Sequence, residues 1–279
     1  GGTPIFIVIS AFSLFAFFIA EIDLSAFSIE VYRMAFSPTL LTIPLFTFSG
    51  YVLAESQAPK RLLHLSKALV GWLPGGVSIV ALFICAFFTA FTGASGVTII
   101  ALGGLLYPML RSEGYSEGFS VGLITTCGSL GLLFPPSLPL ILYGVIAKID
   151  IDQLFLAGLV PGFFLIIILS VFAFKNAPKS SLKRQPFSID FLLRSLKEAK
   201  FELPIPLIVI GGIYAGLVTT TEASTLTAFY VLVVNFFVTR ELDYRKDFPR
   251  IISQSLSLVV SILIVLCCAL GLTNYLVDE

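Results

Sequence analysis

Two neutral, oxygen-rich stretches carry the residues whose types and spacing could do chemistry. The first is Thr92-Gly93-Ala94-Ser95-Gly96, at the centre of residues 77–108, a run without a charged side chain. The second is Gly128, Ser129 and Gly131, followed by Pro135-Pro136-Ser137 near the middle of residues 119–147. Proline has no amide proton and disfavours helix in the residue before it, so a double proline frees several carbonyls from a helical ladder. The hydroxyls of Thr92, Ser95, Ser129 and Ser137 beside freed carbonyls make a hard-oxygen set suited to a small cation such as Na⁺. Gly93, Ser95, Gly128 and Ser129 are its expected ligands. Helix N-termini beyond each break would offer unpaired amides to an anion. Structural roles compete at both places, because glycines at 93 and 96 could serve close helix packing and proline kinks are common in membrane helices.

The elements that must position these residues follow from length. One membrane span needs roughly 20 helical residues to cross a hydrocarbon core of about 30 Å, and an out-and-back crossing roughly 40. Residues 77–108 fit neither, which predicts a re-entrant helical hairpin whose tip, 92–96, unwinds at membrane depth. Such a tip is tolerated only where its backbone is buried in protein or faces a watery or ion-filled cavity. Residues 119–147 are long enough to span and are predicted to break at the prolines. A hairpin followed by a broken helix implies a transporter or channel.

Composition agrees. The chain is 57% apolar with a mean hydropathy of +1.00, and its 12% charged residues are about half the share of an ordinary soluble domain. The predicted class is an all-α polytopic membrane protein with apolar segments near 3–20, 38–54, 77–108, 119–147, 153–174, 203–218, 222–238 and 251–272. Residues 3–20 lack the basic start and cleavage site of a secretory leader. The Gly-Gly-Thr-Pro opening without Met reads as that of a fragment. If the connections alternate between two sides and the hairpin returns to its own, 15 of the 17 Lys and Arg fall in 55–76, 109–118, 175–202 and 239–250. The positive-inside rule makes these stretches cytoplasmic, leaving 21–37, 148–152, 219–221 and 273–279 outside.

Other residue types narrow the function by what they lack. Cys85, Cys127, Cys267 and Cys268 lie in apolar spans without a Cys-x-x-Cys or histidine cluster, so neither a disulfide frame nor a metal centre of that kind is expected. His64, the single histidine, reads as part of a solvated basic face. No span carries an ionisable residue in its interior, which argues against a carboxylate proton pathway. No nucleophile–base pair can be assembled for a membrane enzyme, no cofactor beyond a coupling ion is called for, and no nucleic-acid partner is expected. In the Thr219-Thr220-Thr221-Glu222 turn, Thr221 is expected to cap helix 222–238 with Glu222 at its N-terminus, a structural role.

Segment 175–202 divides the chain into a first unit, 1–174, and the start of a second, 203–279. Its apolar residues follow a loose helical spacing opposite Lys and Arg, consistent with either a helix on the membrane surface or a solvated linker. The pair 3–20 and 38–54 and the pair 222–238 and 251–272 run in inverted order, an ion-transporter-like inverted-repeat plan whose second repeat is incomplete. On that plan a helix precedes Gly1, and a second hairpin and second broken helix follow Glu279.

The residues resemble the large membrane subunit, the M or DctM-type subunit, of tripartite ATP-independent periplasmic transporters. The matching stretches are Ile43-Pro44-Leu45-Phe46 with Ser49-Gly50, Gly75-Gly76, Ala86-Phe87-Phe88 with Thr92-Gly93-Ala94-Ser95, and Gly114-Tyr115. They continue through Gly131-Leu132-Leu133-Phe134-Pro135-Pro136-Ser137, Leu154-Phe155-Leu156-Ala157-Gly158 with Pro161-Gly162, and Thr219-Thr220-Thr221-Glu222-Ala223. The resemblance implies a Na⁺-driven importer of organic anions, such as carboxylates or sugar acids, in the bacterial inner membrane. It also implies a periplasmic binding protein that delivers substrate, a small four-helix membrane subunit, and an elevator motion. The tip departs from the family's usual Ser-Gly-Ser-type sequence but keeps its hydroxyl chemistry. A self-sufficient Na⁺/dicarboxylate symporter of the wider ion-transporter class and a non-transporting scaffold subunit are the alternatives.

Overall fold

The computed structural model describes residues 3–20, isolated positions between 21 and 37, and residues 38–73, 75–178 and 187–278, without the side chains of 271 and 274–278. The expectations for Arg33, Lys179, Lys183 and Arg184 lie outside the described residues. Every regular element among those described is helical. Four helical stretches, Glu117–Ala147, Ile151–Lys175, Thr220–Val238 and Asp247–Leu270, are long and apolar enough to cross a bilayer.

Helix α1 covers Ile5–Ile19, and α2, Thr42–Glu55, follows a 3₁₀ turn at Pro38–Leu41. Helix α3, Ala58–Val70, leads into the hairpin of α4, Gly76–Thr92, and α5, Ser95–Ser112. The broken helix is α6, Glu117–Leu130, a 3₁₀ turn at Gly131–Leu133, and α7, Leu138–Ala147. Then come α8, Ile151–Lys175, and α9, Ile189–Glu198. Helix α10 spans Pro204–Tyr214 with a wide π-type turn at Leu207–Gly211. Helix α11, Thr220–Leu232, ends in a second such turn at Val233–Val238, and α12 is Asp247–Asp278.

Helix α4 is the centre of the molecule. Apolar around its whole circumference, it buries 13 of its 17 residues among α2, α3, α5, α6 and α8. Helix α2 packs on its other side against α11 and α12, and α1 lies along α12, where the Ser10 hydroxyl donates to Cys268 Sγ at 2.9 Å.

The basic stretches meet at one end. Arg61 on α3 donates through Nε to Glu202 Oε1 at 2.9 Å and pairs through Nη1 with Glu241, whose Oε2 also accepts the Gln57 amide at 2.9 Å. Arg250 reaches Glu55 at 3.0 Å. The Tyr115 hydroxyl lies 3.2 Å from that of Ser78, so the hairpin enters and leaves at this same end. At the opposite end the Thr220 hydroxyl donates to Asp152 Oδ1 beside a polar cavity of about 390 Å³ between the 148–152 and 219–221 turns. The described residues of 55–76, 109–118, 175–202 and 239–250 gather away from 148–152 and 219–221, which is the partition that the charges predict for them.

Two spans differ from expectation. Residues 203–218 form a helix of only 11 residues, about 16 Å long, because Pro204 and Pro206 start it and the left-handed Gly216, at φ 67°, turns the chain just beyond it. The amphipathic helix in 175–202 does form, and it packs on α3 through Leu192, Ser195 and Ala199 instead of standing alone. His64 Nδ1 lies 3.0 Å from Glu198 on a half-exposed surface, in keeping with a solvated role.

Candidate functional site

The hairpin tip is tighter than the sequence implies. Thr92 is the last residue of α4, Ser95 and Gly96 open α5, and only Gly93 and Ala94 are non-helical. Gly93 reverses the chain alone by taking a left-handed conformation, φ 66°, that other residues adopt at a cost. The helix break is also narrower. Gly128 and Ser129 lie inside α6, so their carbonyls are not released by the prolines. The non-helical residues are Phe134–Ser137.

Tip and break are packed together, backbone on backbone. A Cβ at Gly131 would lie 2.4 Å from the Ala86 carbonyl oxygen and 2.6 Å from the Ala90 nitrogen, so the 3₁₀ turn sits directly on α4. At Gly93 a Cβ would meet the Leu138 side chain at 2.6 Å, and at Gly128 it would meet Ile99 at 2.6 Å and the Ser95 carbonyl oxygen at 3.2 Å. Helix α2 closes the other side, where a Cβ at Gly50 would be 2.6 Å from the Thr92 nitrogen. At Gly50 and Gly131 the backbone opposite leaves no room for a Cβ, whereas at Gly93 and Gly128 the crowding comes mainly from the Leu138 and Ile99 side chains. Gly96 is different, with nothing within 4 Å of a Cβ built there.

The oxygens of the tip form a cluster. Thr92 Oγ1 and Thr98 Oγ1, both buried, lie 3.0 Å apart, and each lies near the Ala94 carbonyl oxygen, at 3.4 and 3.5 Å. A cation held at about 2.4 Å by ligands at right angles has neighbouring ligand oxygens about 3.4 Å apart, so this triangle has the size of one face of such a shell. The group carries no formal charge. Ser95 is half-buried beside the triangle in sequence, whereas the Ser129 side chain is exposed. Ser137 is buried and donates to the Leu132 carbonyl, satisfying one of the acceptors that Pro135-Pro136 leaves open.

The profile of the family described as "Tripartite ATP-independent periplasmic transporter, DctM component" matches residues 2–277. The chain belongs to this family. It is 35% identical over 206 residues to the isethionate TRAP transporter permease protein DctMQ of Oleidesulfovibrio alaskensis, covering 73% of this chain and 32% of that protein. It is 30% identical over 281 residues to the C4-dicarboxylate TRAP transporter large permease protein DctM of Rhodobacter capsulatus, with 95% and 64% covered. With the ectoine/5-hydroxyectoine large permease protein UehC of Ruegeria pomeroyi the identity is 29% over 269 residues, with 95% and 62% covered. The chain thus spans between about a third and two thirds of the length of these curated relatives. They are transport permeases, not enzymes.

Two residues of the family member's tip escape a motif search. Thr98, the partner of Thr92, lies one helical turn into α5, and a Thr-x₅-Thr spacing across a reversal is its only sequence signal. Thr89 is fully buried beside Gly131 with its hydroxyl unpartnered, on the same face of α4 as Thr92. The expected cap at Thr221 is corrected. Helix α11 starts at Thr220, the N-cap is Thr219, and Thr219 and Glu222 form a reciprocal capping box. Thr221 instead gives its carbonyl to the Ser224 and Thr225 hydroxyls, while Glu222 keeps its expected place.

Proposed function

We propose that this chain supplies one hairpin-and-broken-helix unit of a Na⁺-coupled importer of organic anions in the bacterial inner membrane. A periplasmic binding protein delivers the anion and a small membrane subunit braces the permease. The observation that carries the reading is the neutral oxygen triangle of Thr92, Ala94 and Thr98, seated where the hairpin tip packs on the break. Backbone oxygens of Gly93–Gly96 complete the shell, with the half-buried Ser95 hydroxyl beside it in sequence, whereas Gly128 and Ser129, inside α6, give it neither freed carbonyls nor a buried hydroxyl. A cation there offsets the cost of polar groups at membrane depth, and a site without formal charge releases it readily. The α5 N-terminus, whose Ala94 N-cap offers no side-chain acceptor, presents its first amides to an anion beside that cation.

Coupling follows if both ligands favour the same packing of tip on break, because each then raises the affinity of the other. Helix pairs in the inverted order that the charges imply would suit a rocking or elevator motion of such a unit, and relatives named for isethionate, C4-dicarboxylate and ectoine transport suit a small organic solute as its cargo. The test is Na⁺-dependent uptake by the full-length transporter carrying Thr98→Val or Gly93→Val. Thr98→Val should raise the Na⁺ concentration needed for half-maximal uptake, and Gly93→Val should abolish uptake while the protein still reaches the membrane. Unchanged Na⁺ dependence in both would place the cation elsewhere.

A further inference from the structure

We propose that helices α3 and α9 form an interfacial platform that binds anionic phospholipid headgroups of the cytoplasmic leaflet. Helix α9 has a broad apolar arc, and packing on α3 covers only its middle. Leu192, Ser195, Leu196 and Ala199 turn towards α3, while Ile189 and Leu193 at one edge of the arc stay exposed at 64% and 52%. Leu69 and Trp72, at the exit of α3, are exposed as well. The Trp72 ring meets Phe187 edge-on at 6.3 Å between centroids, which joins the start of α9 to the end of α3. Its indole N–H is satisfied internally by the Leu69 carbonyl at 2.7 Å, leaving the ring itself as an apolar surface.

Trp72 stands four residues before α4 begins, at the end of the molecule where the basic stretches gather. An exposed indole at that depth is an interfacial anchor. Charge identifies the lipid. Residues 55–76 and 175–202 together hold ten Lys and Arg against four Asp and Glu. Arg61 is committed to Glu202 and Glu241, but Lys60, Lys175, Arg194, Lys197 and Lys200 remain exposed. On the helical wheel of α9, Lys197 and then Arg194, with Asp190 between them, follow from the edge that carries Ile189 and Leu193, and Lys200 lies two residues past the end of the helix. A face that grades from apolar to cationic inserts at the headgroup boundary, and basic residues beside a membrane draw anionic headgroups to them. The inference does not depend on Na⁺ coupling.

The sequence contains one tryptophan, Trp72, which makes it a reporter. The full-length transporter, with any other tryptophan replaced by Phe, is reconstituted in phosphatidylcholine bilayers doped with brominated phosphatidylglycerol or with brominated phosphatidylcholine. Trp72 fluorescence should be quenched by both and severalfold more by the anionic lipid, since each basic residue near the surface enriches such lipid by about fivefold. The preference should disappear in high salt and in the triple variant Arg194→Gln, Lys197→Gln, Lys200→Gln, whose quenching by brominated phosphatidylcholine stays at the wild-type level and so reports an intact platform. Equal quenching by the two lipids in the wild type would overturn the anionic assignment. Absence of quenching by either would overturn the platform itself and put protein over Trp72.

Discussion

Substituting Ala at Gly131 and at Gly96 separates two reasons for a glycine in the same few turns of chain. At Gly131 the new methyl would lie 2.4 Å from both the Ala86 oxygen and the Thr89 Cβ, where ordinary contacts between such atoms begin near about 3.5 Å. The 3₁₀ turn and α4 would have to separate by about 1 Å, and because the clash is largely with backbone no side chain can swing aside to absorb it. Overpacking of this kind costs about 1–3 kcal/mol. At Gly96 nothing lies within 4 Å of the methyl, and alanine is the better helix former by up to about 1 kcal/mol. Thermal unfolding of the purified full-length transporter, with uptake measured on the same preparations, should therefore place Gly131→Ala below the wild type and Gly96→Ala at or above it. Uptake should fall with Gly131→Ala because the same displacement pulls the break away from the tip. A Gly131→Ala protein as stable and as active as the wild type would refute the packing of tip on break.

Two further outcomes follow from the ends of the molecule. Arg61 is largely buried between Glu202, which is 3% exposed, and Glu241. Burial works against its charge, but hydrogen bonds and attraction from the two carboxylates outweigh this and hold its pKa above the ordinary value. Arg61→Ala leaves the two carboxylates without their cation and should destabilise the protein by about 3–5 kcal/mol, while Arg61→Ala combined with Glu241→Gln should cost less than the sum of the single changes in a double-mutant cycle. At the opposite end, Thr219→Ala removes the capping box and should cost about 1 kcal/mol in thermal unfolding, whereas Thr221→Ala, whose side chain caps nothing, should cost clearly less. Equal effects would return the cap to Thr221.

The parts of the fold that were legible in the sequence are those that rest on local chemistry. Span length against bilayer thickness gave the hairpin, the missing amide of proline gave the break at Phe134–Ser137, and charge counting gave the two ends. What the sequence hid are the close approaches. Nothing near Gly50 or Gly131 says which backbone each will touch, since that depends on helices 40 residues away in the chain. Gly128 and Ser129 illustrate the same limit from the other side. A glycine and a serine shortly before a double proline look like part of the break, yet the helical ladder continues through both and stops at Leu130. The Thr219–Glu222 spacing was readable as a capping box, but taking Glu222 as the first helical residue moved the cap two positions late.

Membrane depth connects these observations. The hairpin enters and leaves at the basic end, and α4, at about 26 Å, covers most of a hydrocarbon core of about 30 Å before Gly93 turns it back. Its tip therefore lies far from the water at that end, in a region where unsatisfied polar groups cost several kcal/mol each. Much of the polar surface there is internally consumed: Thr92 with Thr98, and Ser137 with the Leu132 carbonyl. Two hydroxyls paired to one another still have lone pairs to spare, and the Ala94 carbonyl beside them accepts the Thr98 amide at 3.3 Å and only long contacts from the two hydroxyls. The remaining acceptor capacity is concentrated at one point, neutral and buried against α2 and the break. Removing the Thr98 hydroxyl therefore tests binding with little change in side-chain volume, because valine keeps the branched shape and loses only the oxygen on which the cation reading depends.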